Sequence, residues 1–292
     1  MSRIDALPPL REVIARHDLG ARKALGQNFL LDLNLTRRIA RAAGDLSGVT
    51  VVEVGPGPGG LTRALLDTGA ARVVAVERDL RFIAALDDLV EAAEGRLELV
   101  RADALEVDAV ALAPEPRAVV ANLPYNVATP LLIGWLKRIE AFRSLTLMFQ
   151  KEVADRLAAA PGGKDYGRLS VIAQWAAEVQ PMFNLPAQAF TPPPKVMSTV
   201  VQLLPRRERE PAEWSAMEAV TAAAFGQRRK MLRQSLKSLG DAEALAAAAG
   251  LDPTARAEVV PVAGYAALAR AWRAGSREDP GEHATQRGTK RR

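Results

Sequence analysis

Between residues 50 and 150 the sequence alternates short β-branched apolar runs with segments of helical periodicity. The runs predict five strands: TVVEV (50–54), RVVAVE (72–77), LELVRAD (97–103), AVVANLPY (118–125) and LTLMFQ (145–150). Strands that alternate with helices pair in parallel through right-handed crossovers. We therefore expect an α/β fold built on a Rossmann-like, mostly parallel sheet.

Two further apolar runs and a change of composition follow this region. VQPMF (179–183) and STVVQLL (198–204) predict antiparallel strands at the far edge of the sheet, and the charged, proline-flanked PRREREP (205–211) predicts a linker. The later apolar periodicity predicts helices over 213–225, 228–239, 241–249 and 261–273. We expect three parts: a catalytic domain over 1–205, a smaller all-helical C-terminal domain over 206–275 and a disordered basic tail over 276–292.

The amino-acid composition excludes several chemistries. The 292 residues contain no cysteine and only two histidines, which rules out a thiolate nucleophile and an iron–sulfur cluster and argues against a metal site. No apolar run has the length of a signal-peptide core or a membrane helix, so we expect a cytoplasmic protein with no membrane partner. The formal net charge of +5 favours a polyanionic partner.

A glycine-rich loop, GPGPGG (55–60), lies between the strand at 50–54 and the next helix. Its glycines let a ligand approach the backbone at a helix N-terminus. The next three strands carry Glu77, Asp103 and Asn122 near their ends, and the carboxyl ends of parallel strands meet at one edge of a sheet. We expect Glu77 to accept from two ribose hydroxyls, Asp103 from an adenine amino group, and the backbone of Gly55 to meet an amino-acid-like part of a cofactor.

The glycine loop alone does not choose the cofactor. Gly55, Gly57 and Gly60 also satisfy the spacing of a nicotinamide dinucleotide-binding loop, and Glu77 fits either kind of cofactor. In a third interpretation the glycines only allow the helix to pack closely on the strand. A P-loop is excluded because no Lys followed by Ser or Thr comes after the glycines.

The tetrapeptide Asn122-Leu123-Pro124-Tyr125 indicates the chemistry. Adenine's exocyclic nitrogen is a poor nucleophile because its lone pair is delocalised into the ring. The Asn122 side-chain oxygen and the Leu123 carbonyl would accept both amino hydrogens and turn that lone pair toward a sulfonium methyl group. Pro124 would stiffen the turn, and Tyr125 would offer a flat face to an extruded base. This predicts methylation of an adenine amino group from S-adenosylmethionine, on either RNA or DNA.

Several segments between residues 10 and 273 together carry a resemblance to a known family. They are ARKALGQNFL, VEVGPGPGGLT, VERD, RADAL, ANLPYN, FQKEVADRL, YGRLSV, AFTPPPKV and AFGQRRKMLRQSL. In these segments the chain resembles the bacterial small-subunit ribosomal RNA adenine dimethyltransferases, the KsgA/RsmA group. The resemblance implies a methyltransferase fold and S-adenosylmethionine-dependent N6,N6-dimethylation of two adjacent adenosines in the 3′-terminal hairpin of 16S rRNA.

The same resemblance assigns residues to the site. For the cofactor these are Asn28, Leu30, Gly55, Glu77, Asp103 and Asn122. The resemblance also implies that Phe190 lies near the target base. The implied partner is 16S rRNA or the immature 30S subunit, and we expect the protein to act on it as a monomer.

The run GQRRKMLRQSLK (226–237) contains basic residues and no acid. Given the fold and the net charge, we expect Arg228, Arg229, Lys230 and Arg233 to contact RNA phosphates from one helix rather than to form an ordinary solvated helix face.

Alternative functions are a 23S rRNA or DNA adenine N6-methyltransferase, a nicotinamide oxidoreductase and a non-catalytic RNA-binding assembly factor.

Overall fold

The computed structural model of the protein describes residues 3–20 and 27–278, and it shows two compact units. The first, here called the sheet unit, runs to Ala158 and resumes over Ala176–Arg207. The second, the helical unit, comprises Ala159–Trp175 and the chain from Glu208. The division at residue 207 lies close to the expected boundary at 205, but the expected first domain is interrupted by the segment 159–175.

The segment 159–175 belongs to the helical unit because Tyr166 lies in that unit's core. The Tyr166 ring packs edge-on against Phe225, with ring centroids 6.0 Å apart. Its hydroxyl donates to the backbone carbonyl of Val260 at 2.9 Å. A buried tyrosine with a satisfied hydroxyl contributes both apolar burial and a hydrogen bond, so Tyr166 ties this segment to the core of the helical unit.

The strands form one seven-stranded sheet and one two-stranded pair. They are β1 (Phe29–Leu30), β2 (Thr50–Val54), β3 (Arg72–Glu77), β4 (Leu97–Arg101), β5 (Arg117–Ala121), β6 (Ser144–Gln150), β7 (Ala177–Leu185), β8 (Phe190–Thr191) and β9 (Ser198–Pro205). The large sheet has the order β4-β3-β2-β5-β6-β9-β7, and β1 pairs with β8. Strands β2 to β6 are parallel, whereas β9 is antiparallel to β6 and β7. The predicted sheet with an antiparallel far edge is confirmed.

The helices surround this sheet and build the helical unit. They are α1 (Leu10–Arg16), α2 (Leu33–Ala42), α3 (Gly60–Leu66), α4 (Leu80–Ala85), α5 (Asp87–Ala92), α6 (Ala109–Leu112), α7 (Tyr125–Leu136), α8 (Lys151–Ala158), α9 (Arg168–Ala176), α10 (Trp214–Gly226), α11 (Leu232–Ser235), α12 (Ala242–Ala248) and α13 (Val262–Glu278). All residues of β2 and β5 are buried, as expected for parallel strands covered on both faces. None of the helices described here is long and apolar enough to cross a membrane.

The boundary between β5 and α7 differs from the prediction in a way that affects the site. The run AVVANLPY was predicted as a strand through residue 125, but β5 ends at Ala121 and α7 begins at Tyr125. Pro124 occupies the N-cap with φ −57°, so it terminates the strand and introduces the helix. The tetrapeptide is therefore a strand-to-helix turn rather than the end of a strand.

The predicted helix over 228–239 is wrong. Residues 227–230 form a turn, and only Leu232–Ser235 is α-helical, as α11. The physical reason is that neighbouring backbone takes the donors: Leu232 N–H bonds the carbonyl of Ala255 and Arg233 N–H that of Pro253. At the other end of the unit α13 continues to Glu278, so residues 276–278 of the expected disordered tail are helical. Residues 279–292 lie outside the described part of the chain.

Candidate active site

A cleft of about 1090 Å³, including open solvent at its mouth, lies at the carboxyl ends of β2, β3, β4 and β5. The strand order reverses between β2 and β5, because β3 and β4 lie on one side of β2 and β5 on the other. Open α/β sheets bind ligands at such a switch point. The cleft is lined by every residue predicted for catalysis or cofactor binding: Asn28, Leu30, Gly55, Glu77, Asp103, Asn122, Leu123, Pro124 and Tyr125.

The glycine loop serves both the cleft and the packing of α3. Gly55 has φ +71°, which favours glycine, and a Cβ there would lie 3.8 Å from the Pro124 side chain across the switch point. A Cβ on Gly60 would lie only 2.7 Å from the carbonyl oxygen of Leu30. The packing interpretation therefore fits Gly60, whereas Gly55 exposes bare backbone to the cleft.

Two acidic side chains stand as acceptors at the cleft edge. The buried Glu77 carboxylate accepts at Oε1 from the N–H groups of Arg78 at 2.9 Å and Asp79 at 2.8 Å. Burial raises the pKa of Glu77, and these hydrogen bonds oppose the rise. Asp103 accepts from the Leu105 N–H at 3.0 Å and from the Arg78 guanidinium at 2.8 Å, and both bonds lower the pKa of Asp103. Both acceptors are thus fixed by neighbours on the strand ends.

Glu53, on β2 beside the glycine loop, is a buried acid in the cleft wall. It is 1% exposed, and its Oε2 has no hydrogen-bond partner among the residues that the structure describes. Burial raises the pKa of Glu53 to about 8, and the charge of Glu77 acts in the same direction. The Glu53 carboxyl is therefore mostly protonated at neutral pH.

Among the described residues no group of three or more His, Cys, Asp or Glu side chains is placed to hold a metal ion.

Asn122 is oriented by the segment that precedes β1. Its Nδ2 donates to the backbone carbonyl of Asn28 at 3.2 Å, across 94 residues of sequence. An amide has one donor end and one acceptor end, so this bond points the Asn122 Oδ1 away from that carbonyl. The acceptor that the predicted chemistry requires is therefore held in one orientation.

Tyr125, the first residue of α7, is anchored through its hydroxyl. The Tyr125 hydroxyl oxygen lies 2.7 Å from Ser198 Oγ, and either atom can donate. Burial raises the pKa of Tyr125, and the hydrogen bond with Ser198 opposes part of that rise. Tyr125, which lines the cleft, is therefore a neutral phenol at physiological pH.

Comparison with known proteins identifies the family. The model of the family "Ribosomal RNA adenine dimethylase" matches residues 19–272. Ribosomal RNA small subunit methyltransferase A of Rhodospirillum rubrum is 66% identical over 268 residues, 91% of this chain and 93% of the relative. The corresponding protein of Paramagnetospirillum magneticum is 65% identical over 266 residues, 91% of this chain and 95% of the relative. The chain belongs to the ribosomal RNA adenine dimethylase family.

Solved structures show the same fold. The crystal structure of the 23S rRNA methyltransferase ErmE aligns with this chain with a TM-score of 0.65 and 27% identity. The alignment covers 84% of this chain and 100% of ErmE. A dimethyladenosine transferase from Plasmodium falciparum aligns with a TM-score of 0.69 and 23% identity, covering 80% of this chain and 93% of that one. The predicted methyltransferase fold and the resemblance to the dimethyltransferases are both confirmed.

Phe190, which the resemblance places near the target base, lies outside the cleft lining of this dimethylase. It is 3% exposed and belongs to the apolar core of the sheet unit. Its backbone pairs with Leu30 in the β1–β8 ribbon, and Leu30 does line the cleft. Phe190 therefore supports the cleft wall from behind, and a contact between Phe190 and a base stays a prediction.

Arg228, the first of the four residues predicted to contact phosphates, donates mainly to its own unit. Its Nε bonds the Glu258 carboxylate at 3.2 Å, and its Nη2 bonds the carbonyls of Gly163 at 3.2 Å and Lys164 at 2.7 Å. These contacts have no local signal in the sequence, because the acceptors lie 30 to 65 residues away. Arg228 therefore contributes to the packing of the helical unit, and its contact with RNA stays a prediction.

The other three predicted phosphate contacts lie at the surface. Arg229 and Lys230 are exposed in the turn before α11. Arg233 is exposed on α11, where its guanidinium lies 3.9 Å from the Glu243 carboxylate, a distance at which an exposed pair contributes little. We call Arg229, Lys230 and Arg233 the basic turn. Their contact with RNA stays a prediction.

Two cleft contacts were missed by the sequence analysis. Arg78 had a local signal, since it is the basic residue directly after Glu77 in VERD. Ser198 had none, because it lies 73 residues from Tyr125 and only the fold brings the start of β9 beside the start of α7.

Proposed function

We propose that this chain is an S-adenosylmethionine-dependent rRNA adenine N6,N6-dimethyltransferase that acts on two adjacent adenosines near the 3′ end of 16S rRNA, in the immature 30S subunit. The observation that carries this proposal is the orientation of Asn122. Because its Nδ2 is bound to the Asn28 carbonyl, its Oδ1 is presented as an acceptor at the same turn as the Leu123 backbone. Membership of the rRNA adenine dimethylase family supports the reaction.

The chemistry of the cleft fits S-adenosylmethionine. Glu77 is a buried acceptor suited to two ribose hydroxyls, and Asp103 is an acceptor suited to an adenine amino group. The left-handed backbone at Gly55 leaves room for an amino-acid moiety close to the main chain. Asn28 and Leu30 would close the site from the side of β1. When bound, this cofactor supplies a methyl group on a positively charged sulfonium.

Asn122 and Leu123 prepare the adenine amino group for attack. The Asn122 Oδ1 accepts one amino hydrogen and the Leu123 carbonyl accepts the other, which draws the nitrogen lone pair out of conjugation with the ring. Tyr125 holds the base by its ring face. A neutral Tyr125 phenol does not take the proton, and none of the other residues needs to, because the methylated nitrogen is acidic enough to lose its proton to water.

The second methylation places a different demand on the same residues. After the first transfer only one amino hydrogen remains, so either the Asn122 Oδ1 or the Leu123 carbonyl loses its partner. The new methyl group must then fit beside the acceptor that it leaves unpaired. We therefore expect the second transfer to depend more on pocket shape than the first.

Sequence identity favours the small subunit over the alternative RNA substrate. The relatives at 66% and 65% identity are named for the small subunit, whereas the 23S rRNA methyltransferase ErmE is 27% identical. A nicotinamide oxidoreductase would have no use for an oriented Asn122 beside Tyr125. A non-catalytic assembly factor would need neither that orientation nor the buried acceptor Glu77.

The test is a methyl-transfer assay with the purified full chain and labelled S-adenosylmethionine. The substrates are unmethylated small-subunit particles, naked 16S rRNA, 23S rRNA and duplex DNA, each followed by nucleoside mass spectrometry. We expect N6,N6-dimethyladenine in the small-subunit particle, less in naked 16S rRNA, and none in 23S rRNA or DNA. Methylation confined to 23S rRNA or DNA, or none at all, would overturn the proposal.

A further inference from the structure

We infer that Ser198 is a positioning residue for methyl transfer, because its hydroxyl anchors the far end of the Tyr125 ring and so fixes where the target base is held. This inference rests on the proposed function, in which the base stacks on Tyr125. The contact that carries it is the 2.7 Å approach of the Tyr125 hydroxyl to Ser198 Oγ.

Ser198 is a fixed point in the sheet unit. It is 0% exposed and is the first residue of β9. The strand register places it opposite Gln150 on β6 and opposite Leu185 on β7. Because β9 has a hydrogen-bonded neighbour on each side, the backbone of Ser198 cannot move without disrupting two strand pairings.

Tyr125 needs such a fixed point because its backbone alone does not set its ring. Pro124 restricts the turn, but the Tyr125 side chain still rotates about its χ1 and χ2 bonds. The hydroxyl oxygen is at the far end of the ring from Cβ and lies on the χ2 axis, so a hydrogen bond there restrains χ1 and fixes where the ring lies. Because a phenolic O–H prefers the plane of its ring, the same bond also favours one orientation about χ2. A base stacked on the ring then keeps its amino nitrogen at a fixed distance from the Asn122 Oδ1. A misplacement of about 1 Å at a reacting centre can cost about a hundredfold in rate.

A purely structural role for Ser198 is the competing explanation, and the next residue provides the matched control. Thr199 is 4% exposed, and its Oγ1 donates to the Asn184 Oδ1 at 2.8 Å. Successive side chains of a strand point to opposite faces, so Thr199 faces away from Tyr125. Thr199→Val therefore removes a buried hydroxyl and its hydrogen bond from the same strand without touching the Tyr125 contact.

The experiment is a double-mutant cycle with the full chain. Ser198→Ala, Tyr125→Phe and the double variant are compared in single-turnover methyl transfer to small-subunit particles. A hairpin RNA with 2-aminopurine at the target position reports base stacking by its fluorescence. We expect each single variant to slow transfer by about tenfold or more, with RNA and cofactor affinities unchanged. The double variant is expected to be no slower than either single variant, and the fluorescence to shift in all three.

The control and the contrary outcomes separate the explanations. Thr199→Val is expected to transfer methyl groups at the wild-type rate with wild-type fluorescence. A wild-type rate in Ser198→Ala, additive losses in the double variant, or equal slowing in Thr199→Val would overturn the inference. If Ser198→Ala fails to fold, Tyr125→Phe decides, and a wild-type rate there overturns it. Failure of the proposed function is distinct, because the unaltered chain would then methylate no small-subunit RNA.

Discussion

The cleft and the basic turn are built on opposite principles. In the cleft, functional groups are buried or held by contacts from distant segments, such as Asn122 by Asn28 and Tyr125 by Ser198. In the basic turn, Arg229 and Lys230 are exposed and contribute charge without a fixed geometry. Chemistry depends on the placement of individual atoms, whereas phosphate binding depends mainly on charge. Variants in the two regions should therefore fail in different assays.

The buried acid in the cleft wall, Glu53, is expected to make the free energy of unfolding depend on pH. Glu53 has a pKa raised from 4.5 to about 8 by burial. The folded protein therefore binds this proton more tightly than the unfolded chain, so stability is lost as pH rises from about 4.5 toward 8. A shift of this size corresponds to at most about 5 kcal/mol.

Glu53→Gln tests this cost, because the amide keeps the shape and cannot ionise. Urea unfolding at about pH 5.5 and about pH 8.5 measures the stability of both proteins. We expect the wild type to lose several kcal/mol relative to the variant between these two pH values. A difference that does not change with pH would show that Glu53 ionises as readily in the folded protein as in the unfolded one.

A substitution at Glu77 is expected to lower the affinity for the cofactor and to leave the affinity for RNA unchanged. Glu77→Ala removes an acceptor for the ribose hydroxyls, and hydrogen bonds to a charged group contribute about 1.5–3 kcal/mol. We expect S-adenosylmethionine to bind about tenfold to a hundredfold more weakly by calorimetry, with RNA affinity unchanged. Glu77→Gln keeps one acceptor oxygen, so its cofactor affinity should lie between those of the wild type and Glu77→Ala. Unaltered cofactor affinity in Glu77→Ala would remove Glu77 from the site.

The basic turn is expected to show the converse. Reversing both charges in Arg229→Glu/Lys230→Glu should weaken RNA binding by about tenfold or more and reduce the slope of affinity against salt by about 2, while cofactor binding is unchanged. Reversal of two exposed residues of the sheet unit, Arg11→Glu/Arg41→Glu, changes the net charge equally and serves as the control. If both pairs weaken binding to the same extent, the effect is one of net charge alone.

The smallest expected effect separates Arg228 from its neighbours. Arg228→Ala removes the donors to Glu258 and to the carbonyls of Gly163 and Lys164. We expect about 1 kcal/mol lower stability and little change in the salt slope of RNA binding. A loss of salt slope as large as that for a neighbouring basic residue would mean that Arg228 also reaches the RNA.

Local sequence patterns predicted most strands and helices, and the predictions failed where contacts with distant residues decide the structure. The β-branched runs at 50–54 and 72–77 became strands with the predicted boundaries, because all of their residues except Arg72 are buried in a parallel sheet. The strand ending at residue 125 was wrong, since Pro124 caps a helix there. The helix over 228–239 was wrong because backbone partners at Pro253 and Ala255 outcompete helical bonds.

The same limit applies to the site. The strand-end residues Glu77 and Asp103 and the tetrapeptide were predictable, because parallel strands bring their carboxyl ends to one edge. The contacts that orient the tetrapeptide were not, since they join residues 94 and 73 positions apart. Sequence therefore predicted residues that line the cleft, and the fold was needed to show which residues fix their orientation.

We propose that Asn122 acts in the chemical step and that the basic turn acts in RNA binding. The most direct measurement compares Asn122→Ala with Arg229→Glu/Lys230→Glu in single-turnover methylation of small-subunit particles at saturating RNA. Loss of a polar group at a reacting centre costs about 3 kcal/mol, so Asn122→Ala should methylate roughly a hundredfold or more slowly, with RNA affinity intact. The charge-reversed protein should methylate at most of the wild-type rate, because saturating RNA offsets its weaker binding. Near-normal dimethyladenine formation by Asn122→Ala would show that Asn122 does not act in the chemical step.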